Sequence, residues 1–461
     1  MKNKKLVLGI LALIILISGA VGYIYWREQQ SKGWFQRGNT LPVTQLQPKQ
    51  SSELENNRIG GNGLCLRFHS ESDIYGIIDG DCRMGLKWKR VSLDYWDWTE
   101  VEDTGAYSEY SIGSLQDEAI TYLADNGIKM MYLLNFWDEE IQPVEEGYSR
   151  FKTEGEIQRY LDYVQFIVHN FKDRIEYYEI LNEPNNGVTG QYVEVADYIN
   201  LVKRTVPVIR QEYPEAKIVA GAVIPLYWIR NTAPARIEPG AREYLFSILE
   251  SDVMPLVDAF SWHAMNGASP EYGEEYYYEY PSLVQEIKDA ASAHGFKGEY
   301  VAEEMHWPIP QEAGVWGDAP IYSNTKSAKY YARGIVMHLG MNVAAGICGP
   351  FTIKNLGTVM AGAEPTNLPI EIQSKATNIR SYSFSLSNGD KLIALWTDGV
   401  AADDDPGVRA NLTVQDTTSE DVTATDVLNG YQQSITTTSE NGSLVIRNLI
   451  VRDYPLILHI T

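Results

Sequence analysis

Cysteine is scarce in this chain, and so is positive charge. Cys65, Cys82 and Cys348 are its three cysteines. They form no disulfide framework and have no CxxC spacing for a metal, so small buried side chains are the favoured reading, with one bridge still open. Lys and Arg number 38 against 61 Asp and Glu, giving a formal charge of −23. Without a basic stripe, a surface that negative repels phosphate backbones, and nucleic acid is excluded as a partner. There is no Gly-rich phosphate turn after a first strand, no G-x-S-x-G elbow, no H-E-x-x-H helix and no G-x-x-x-x-G-K-[ST] loop. No metal or cofactor is called for.

What is present begins with an apolar N-terminus. After Lys2, Lys4 and Lys5, the run Leu6–Trp26 carries no charge. About 20 such residues span a bilayer, and the preceding lysines orient the rest of the chain outward. Residues 1–26 therefore read as a transmembrane anchor. A cleaved signal peptide with Ser18-Gly19-Ala20 as its site stays open. Either way the remainder is exported: held at the cell membrane as a single-pass protein, or secreted. Residues 27–58, rich in Gln, Ser and Asn, read as a polar linker.

From residue 59 to 374 strand-like and helical patterns alternate. Apolar runs stand at 63–69, 89–95, 128–136, 175–183, 217–224, 259–265, 299–305 and 344–351. Between them lie helical patterns such as 114–127, 156–171, 193–213 and 325–340, with apolar residues at i, i+3, i+4. Eight strands alternating with helices are the arithmetic of a (β/α)8 barrel. Residues 375–461 change character. An Asn-Gly hairpin within 381–399 and several short strands without helices predict a β-sandwich.

Active sites of such barrels lie at the C-terminal ends of the strands. The fourth strand ends on Asn182-Glu183-Pro184 and the seventh carries Glu303 and Glu304. Two carboxylates facing each other there suit glycoside cleavage, one as proton donor and the other as nucleophile or base. Strand alternation predicts that only one of the adjacent pair Glu303 and Glu304 faces the cleft. Trp137, Trp262 and Trp307 lie at strand ends as possible sugar platforms or as packing. The insertions at 96–113, 226–239 and 306–324 would shape the cleft.

In these motifs the chain resembles the clan A, or 4/7, glycoside hydrolases, and is similar to family 39 and family 5-like enzymes. The resemblance covers residues 60–461. It implies a retaining hydrolase of a β-linked oligo- or polysaccharide, with Glu183 as acid/base and Glu304, or else Glu303, as nucleophile. It further implies that Asn182 binds a sugar hydroxyl, that His263 lines the site, and that Arg90 supports the nucleophile. Met265, His306 and Phe351 stand where relatives carry Tyr, Gly and Trp, which bears on substrate more than on reaction class. A tethered carbohydrate-binding barrel without catalysis is the alternative.

Overall fold

The computed structural model describes residues 34–65, 71–92, 112–136, 149–186, 192–224, 240–314, 319–348, 353–417, 419 and 421–461. Two compact units emerge. Over the described residues, one comprises Pro48–Pro365 with Val400–Asp403; the other comprises 34–47, Thr366–Gly399 and Asp404–Thr461.

The first unit is a closed eight-stranded parallel barrel. Its strands are β1 (Ile59–Cys65), β2 (Trp88–Ser92), β3 (Lys129–Leu134) and β4 (Tyr177–Ile180), then β5 (Lys217–Val223), β6 (Ala259–Asn266), β7 (Glu299–His306) and β8 (Ala344–Ile347). Seven of them fall on the expected apolar runs, and β1 starts four residues ahead of the run at 63–69 and overlaps it at 63–65. Runs such as those of β3 and β5 are buried almost end to end, because helices cover one face of a barrel strand and the barrel interior the other. The helices alternate with them: α1 (Glu71–Met84), α2 (Ser114–Asp125), α3 (Glu154–Phe171), α4 (Val195–Glu212), α5 (Ala241–Leu249), α6 (Glu274–Ala293), α7 (Asn324–Gly340) and α8 (Lys354–Val359). In α3 the stripe Ile157, Tyr160, Leu161, Val164, Ile167, Val168 and Phe171 is buried, and the Thr153 side chain caps the helix by accepting from the Glu156 amide.

The barrel floor is apolar. Met131, Val219, Ala259 and Val301 pack there with Trp88, Tyr177 and Ala344. The Trp88 indole fits only because β1 and β8 carry glycine beside it: a Cβ at Gly60 would lie 2.1 Å from the ring, and one at Gly346 2.6 Å.

The second unit is a two-sheet sandwich. Its strands are Val43–Gln45, then β9 (Glu364–Thr366), β10 (Ile370–Ser374), β11 (Ile379–Ser385), β12 (Lys391–Thr397), β13 (Val408–Val414), β14 (Val422–Asp426), β15 (Tyr431–Ser434), β16 (Thr437–Glu440), β17 (Ser443–Val451) and β18 (Leu456–Ile460). One sheet runs Val43–Gln45, β15, β14, β18, β12, β11, β9; the other runs β10, β13, β17, β16. The expected hairpin is β11–β12, paired from Ile379↔Thr397 to Ser385↔Lys391.

The expected polar linker is corrected over its described part, residues 34–58. Phe35 is wholly buried in the sandwich core among Leu395, Leu412, Ile446 and Leu458. Val43–Gln45 pairs with β15. Pro48 onwards belongs to the barrel, where Asn57 donates to the carbonyls of Gly85 and Gly357. The polar composition is misleading because these amides are spent on buried backbone groups: Gln36 donates to the carbonyls of Thr436 and Arg447. The sandwich resumes at Thr366, ahead of the expected boundary at 375. Among the described residues no helix is long and apolar enough to cross a membrane; Leu6–Trp26 lies outside them.

Candidate active site

Successive side chains of a strand alternate faces, so the residues two steps beyond the floor point inward as well. From Trp88, Tyr177, Ala259 and Val301 that step brings Arg90, Glu179, Ser261 and Glu303 into the barrel. All four are buried, at no more than 2% exposure. Arg90 Nε donates to Glu179 Oε2 at 2.6 Å and lies 3.4 Å from Glu303 Oε2. Ser261 Oγ donates to the other Glu179 oxygen at 2.6 Å. Arg90 Nη2 reaches up to Asn182 Oδ1 at 2.9 Å, and Nη1 lies 3.4 Å from Asn62 Oδ1 on β1.

A further step along β6 is His263, which is wholly buried. Its Nδ1 lies 3.0 Å from Glu183 Oε1 and 3.2 Å from Glu304 Oε2, and its Nε2 lies 3.4 Å from Glu303 Oε1. One imidazole thus touches all three candidate acids. Glu183 and Glu304 meet at a single nitrogen, so their nearest oxygens are no further apart than the sum of those two distances. Of the three, Glu183 and Glu304 keep side-chain exposures of 18% and 23%, while Glu303 keeps none.

Glu303 and Glu304, though adjacent on β7, both reach the His263 ring, and only Glu304 keeps exposed surface. The β6–β7 register shifts between Trp262 and His263 and again between His263 and Met265, and β7–β8 shifts between Ala302 and Met305. Such irregularity breaks the alternation and lets neighbouring side chains reach opposite sides of one ring. Glu183 is presented by another local device. Leu181 and Glu183 both adopt positive φ, at 61° and 43°. The Glu183 amide donates to the Ala222 carbonyl at 2.9 Å, and Asn186 Nδ2 donates to Glu183 Oε2 at 2.6 Å.

Charge is distributed unevenly among these acids. Burial pushes Glu179 up and outweighs the pull of Arg90, taking its carboxyl to about 8. Burial pushes Glu303 the same way, but the charge of Arg90 and its contacts with His263 and Glu179 outweigh it and hold the carboxyl at about 2. This buried pair therefore holds one proton, on Glu179. Desolvation of Glu183 is likewise overcome, by the hydrogen bond and charge of His263 and by Asn186, so its carboxyl lies below the ordinary range. Burial would discharge His263; the charge of Glu304 and its bonds to Glu183 and Glu303 instead hold it well above its usual value.

Two of the expected sugar platforms are corrected. Trp262 and Trp307 are wholly buried. Trp262 Nε1 donates to Tyr280 Oη, and Trp307 Nε1 to the Ala268 carbonyl. Both are packing residues with their one polar atom satisfied. Trp137 lies outside the described residues, as do Phe351, most of 96–113 and all of 226–239. Cys82 and Cys348 are buried free thiols. Among the described residues no group of His, Cys, Asp and Glu is arranged to hold a metal. Sequence reasoning missed Glu179 and Ser261. Their signal was parity: Glu179 stands two residues after Tyr177 and four before Glu183.

The architecture has known counterparts. Over 90% of this chain and 82% of the other, it superposes on a family 39 glycoside hydrolase from Bacteroides cellulosilyticus WH2, with TM-score 0.59 and 14% identity. The chain shares the fold of that glycoside hydrolase. The catalytic domain of GH30 xylanase C from Talaromyces cellulolyticus matches over 91% of this chain and 99% of its own, with TM-score 0.55 and 11% identity. A glucosidase from Croceicoccus marinus matches over the same shares, with TM-score 0.54 and 12% identity. At such identities the likeness is one of fold, and at that level it agrees with the clan resemblance read from Asn182-Glu183-Pro184 and the strand-7 acids. No family model matches the sequence. A curated relative, "Probable inactive beta-glucosidase 25" from Arabidopsis thaliana, is 26% identical over 147 residues, which span 31% of this chain and 26% of that protein.

Proposed function

We propose that the chain is a retaining glycoside hydrolase of β-linked oligo- or polysaccharides, with Glu183 as acid/base and Glu304 as nucleophile. The observation that carries this reading is the convergence of Glu183 and Glu304 on His263 Nδ1, at 3.0 and 3.2 Å. Two carboxylates that share one ring nitrogen support the closely spaced pair of a retaining enzyme over the wider pair of an inverting one. Glu183 protonates the glycosidic oxygen as the carboxylate of Glu304 bonds to the anomeric carbon. Water then attacks the anomeric carbon, the bond to Glu304 breaks to return its carboxylate, and Glu183 takes the water's proton. Asn182 has its carbonyl end committed to Arg90, which leaves the NH2 to donate to a sugar hydroxyl.

Glu304 is preferred to Glu303 because a nucleophile must meet substrate, and Glu303 has no exposed surface. The role expected of Arg90 shifts accordingly, since its contact on β7 is Glu303. The uncharged run Leu6–Trp26 supports export of the enzyme, as a membrane-anchored or a secreted form. A carbohydrate-binding barrel without turnover is the second reading, favoured by a Glu183 carboxyl that lies low for a proton donor.

The test is hydrolysis of aryl β-glycosides and of plant and microbial polysaccharides by the wild type and by Glu183→Gln, Glu303→Gln and Glu304→Gln. Glu183→Gln should lose about 10²–10⁴-fold on poor leaving groups and far less on dinitrophenyl glycosides. Glu304→Gln should form no glycosyl-enzyme, and proton NMR of the wild-type reaction should show the β-anomer first. Binding of sugars without turnover by the wild type would establish the second reading instead.

A further inference from the structure

We propose that the N-terminal mouth of the barrel, opposite the site already described, is a second ligand site, and that it takes a neutral mono- or disaccharide. The assignment does not depend on Glu183 and Glu304 being catalytic.

The site is a cavity of about 520 Å3, within the ~300–1,000 Å3 usual for small-molecule sites. It is lined from the N-terminal ends of β2, β3, β4, β7 and β8 and from the segment that leads into β1. The space exists because side chains there are short: Gly127 lies ahead of β3, Gly298 precedes β7 and Ala344 opens β8. Its inner wall is the apolar floor, where Met131 and Val301 pack with Trp88, Tyr177 and Ala344. Two steps further along the strands lie the buried Arg90, Glu179, Ser261 and Glu303. The floor and this polar layer separate the cavity from the acids at the other end.

Two features of the lining select a ligand. The first is aromatic. Trp88 and Tyr177 each open a strand half-buried, whereas the residues that follow them are buried, and both line the cavity. Gly60 and Gly346 hold the indole in place, since neither has room for a Cβ beside it. An aromatic ring offers a flat apolar surface with a polar edge. That surface complements a pyranose, whose C–H face is apolar and whose rim is hydroxyls. Water against such a floor finds no partner there, and its release favours the ligand.

The second feature is charge of both signs in equal number. The lining carries Arg58, Lys87 and Lys129 against Glu55, Glu299 and Glu364. Arg58 Nη1 lies 3.3 Å from Glu364 Oε2, and Lys129 Nζ lies 3.2 Å from Glu176 Oε2. Tyr177 Oη donates towards both oxygens of Glu299 at 3.3 Å. A guanidinium, an ammonium and a carboxylate each make several hydrogen bonds, so these groups keep capacity after serving one partner. A charged ligand would meet as many like charges as opposite ones. A sugar hydroxyl both donates and accepts, so it pairs with either sign. A neutral polyol with an apolar face is the class that satisfies the whole lining.

The experiment is methyl NMR of the full chain with 13C-methyl methionine, in the Glu183→Gln background so that no sugar is cleaved. Met130 and Met131 line the cavity, and Met305 follows Glu304 on β7. Met130→Leu, Met131→Leu and Met305→Leu assign their signals. Cellobiose, xylobiose and mannobiose are titrated separately, with inorganic phosphate as the charged control. At least one disaccharide should shift Met130 and Met131 saturably, with a Kd separate from any response at Met305. Glu299→Gln, at an exposed position, should weaken that Kd by about tenfold, the scale of one charge-assisted hydrogen bond, and leave Met305 unmoved. Ala344→Phe, which fills the cavity from β8, should abolish the response. No saturable shift at Met130 and Met131 with any of the three sugars overturns the proposal. So does a response there that neither variant alters, because it is then transmitted from elsewhere in the barrel. Phosphate that shifts the pair and is displaced by no sugar makes the cavity an anion site and overturns the saccharide assignment. A wild type that hydrolyses nothing removes the catalytic reading and leaves each of these outcomes as it is, so the two failures are told apart.

Discussion

Leu181 and Glu183 hold positive φ without being glycine, a conformation that costs an L-residue roughly 1–2 kcal/mol each. Something must over-determine that turn, and the neighbouring strand β5 does. The Ala222 carbonyl accepts from the Glu183 amide; the Ala222 amide donates to Ser261 Oγ; Ser261 Oγ in turn donates to Glu179. Glu183 is thereby tied through two strands to the buried layer below it. Ala222 itself stands at φ 43°, next to Gly221 at φ 123°. A Cβ at Gly221 would lie 2.1 Å from the Ser261 carbonyl oxygen. Gly221→Ala combines an unfavourable backbone region with a backbone collision, so it should cost about 2–4 kcal/mol. It should also lower kcat more than it raises KM, because it displaces Glu183 rather than the sugar-binding surface. Thermal unfolding together with steady-state kinetics checks both; unchanged stability would mean that β5 does not brace the turn.

At the level of elements, period and composition made the barrel legible and left parts of the sandwich and the interior illegible. β3 and β5 are near-continuous apolar runs because they are covered on both faces, and their shortness, rather than their periodicity, separates them from buried helices. The ends of β4 and β7 were legible as a site because acids interrupt such runs. The inner polar layer was not, since an acid in mid-strand reads as solvent-facing until the partners on three other strands are known. Trp262 and Trp307 were misplaced for the opposite reason: a strand-end tryptophan looks exposed, yet Tyr280 and the Ala268 carbonyl await its N–H inside. The strand Val43–Gln45 was hidden by polar composition, because a three-residue edge strand carries too little periodicity to register. Its anchor is Phe35, wholly buried in the sandwich core. Phe35→Ala should destabilise the sandwich by ~3–5 kcal/mol, the cost of an emptied aromatic site. Calorimetry should show that loss, and a change within ~0.5 kcal/mol would remove residues 34–47 from the folding unit.

For the whole molecule, buried protons and surface charge act in the same direction on stability. The formal charge of −23 favours any condition that neutralises carboxylates, because self-repulsion opposes the compact state. Glu179 adds to this. Its folded carboxyl, at about 8, stands above the unfolded value near ~4.3, so between those pH values the folded chain binds a proton the unfolded chain lacks. Stability therefore falls as pH rises through that window. His263 has the same sign: raised in the folded chain, it contributes fully below ~6.5 and is lost as pH climbs through its folded value. The acid side is bounded by Glu303. Held at about 2, it contributes above the unfolded carboxylate value and is lost as pH drops towards 2. The unfolding midpoint should accordingly peak on the acid side of neutrality, at roughly pH 5, and decline steadily towards pH 9. Glu179→Gln supplies a neutral side chain of the same shape in place of the protonated acid. It should flatten that decline between about pH 4.3 and 8 while leaving the acid-side fall in place. Melting curves across pH for the two chains decide this. A decline of the same slope in both would mean that Glu179 is ionised in the folded barrel, and that the buried pair does not hold its proton there.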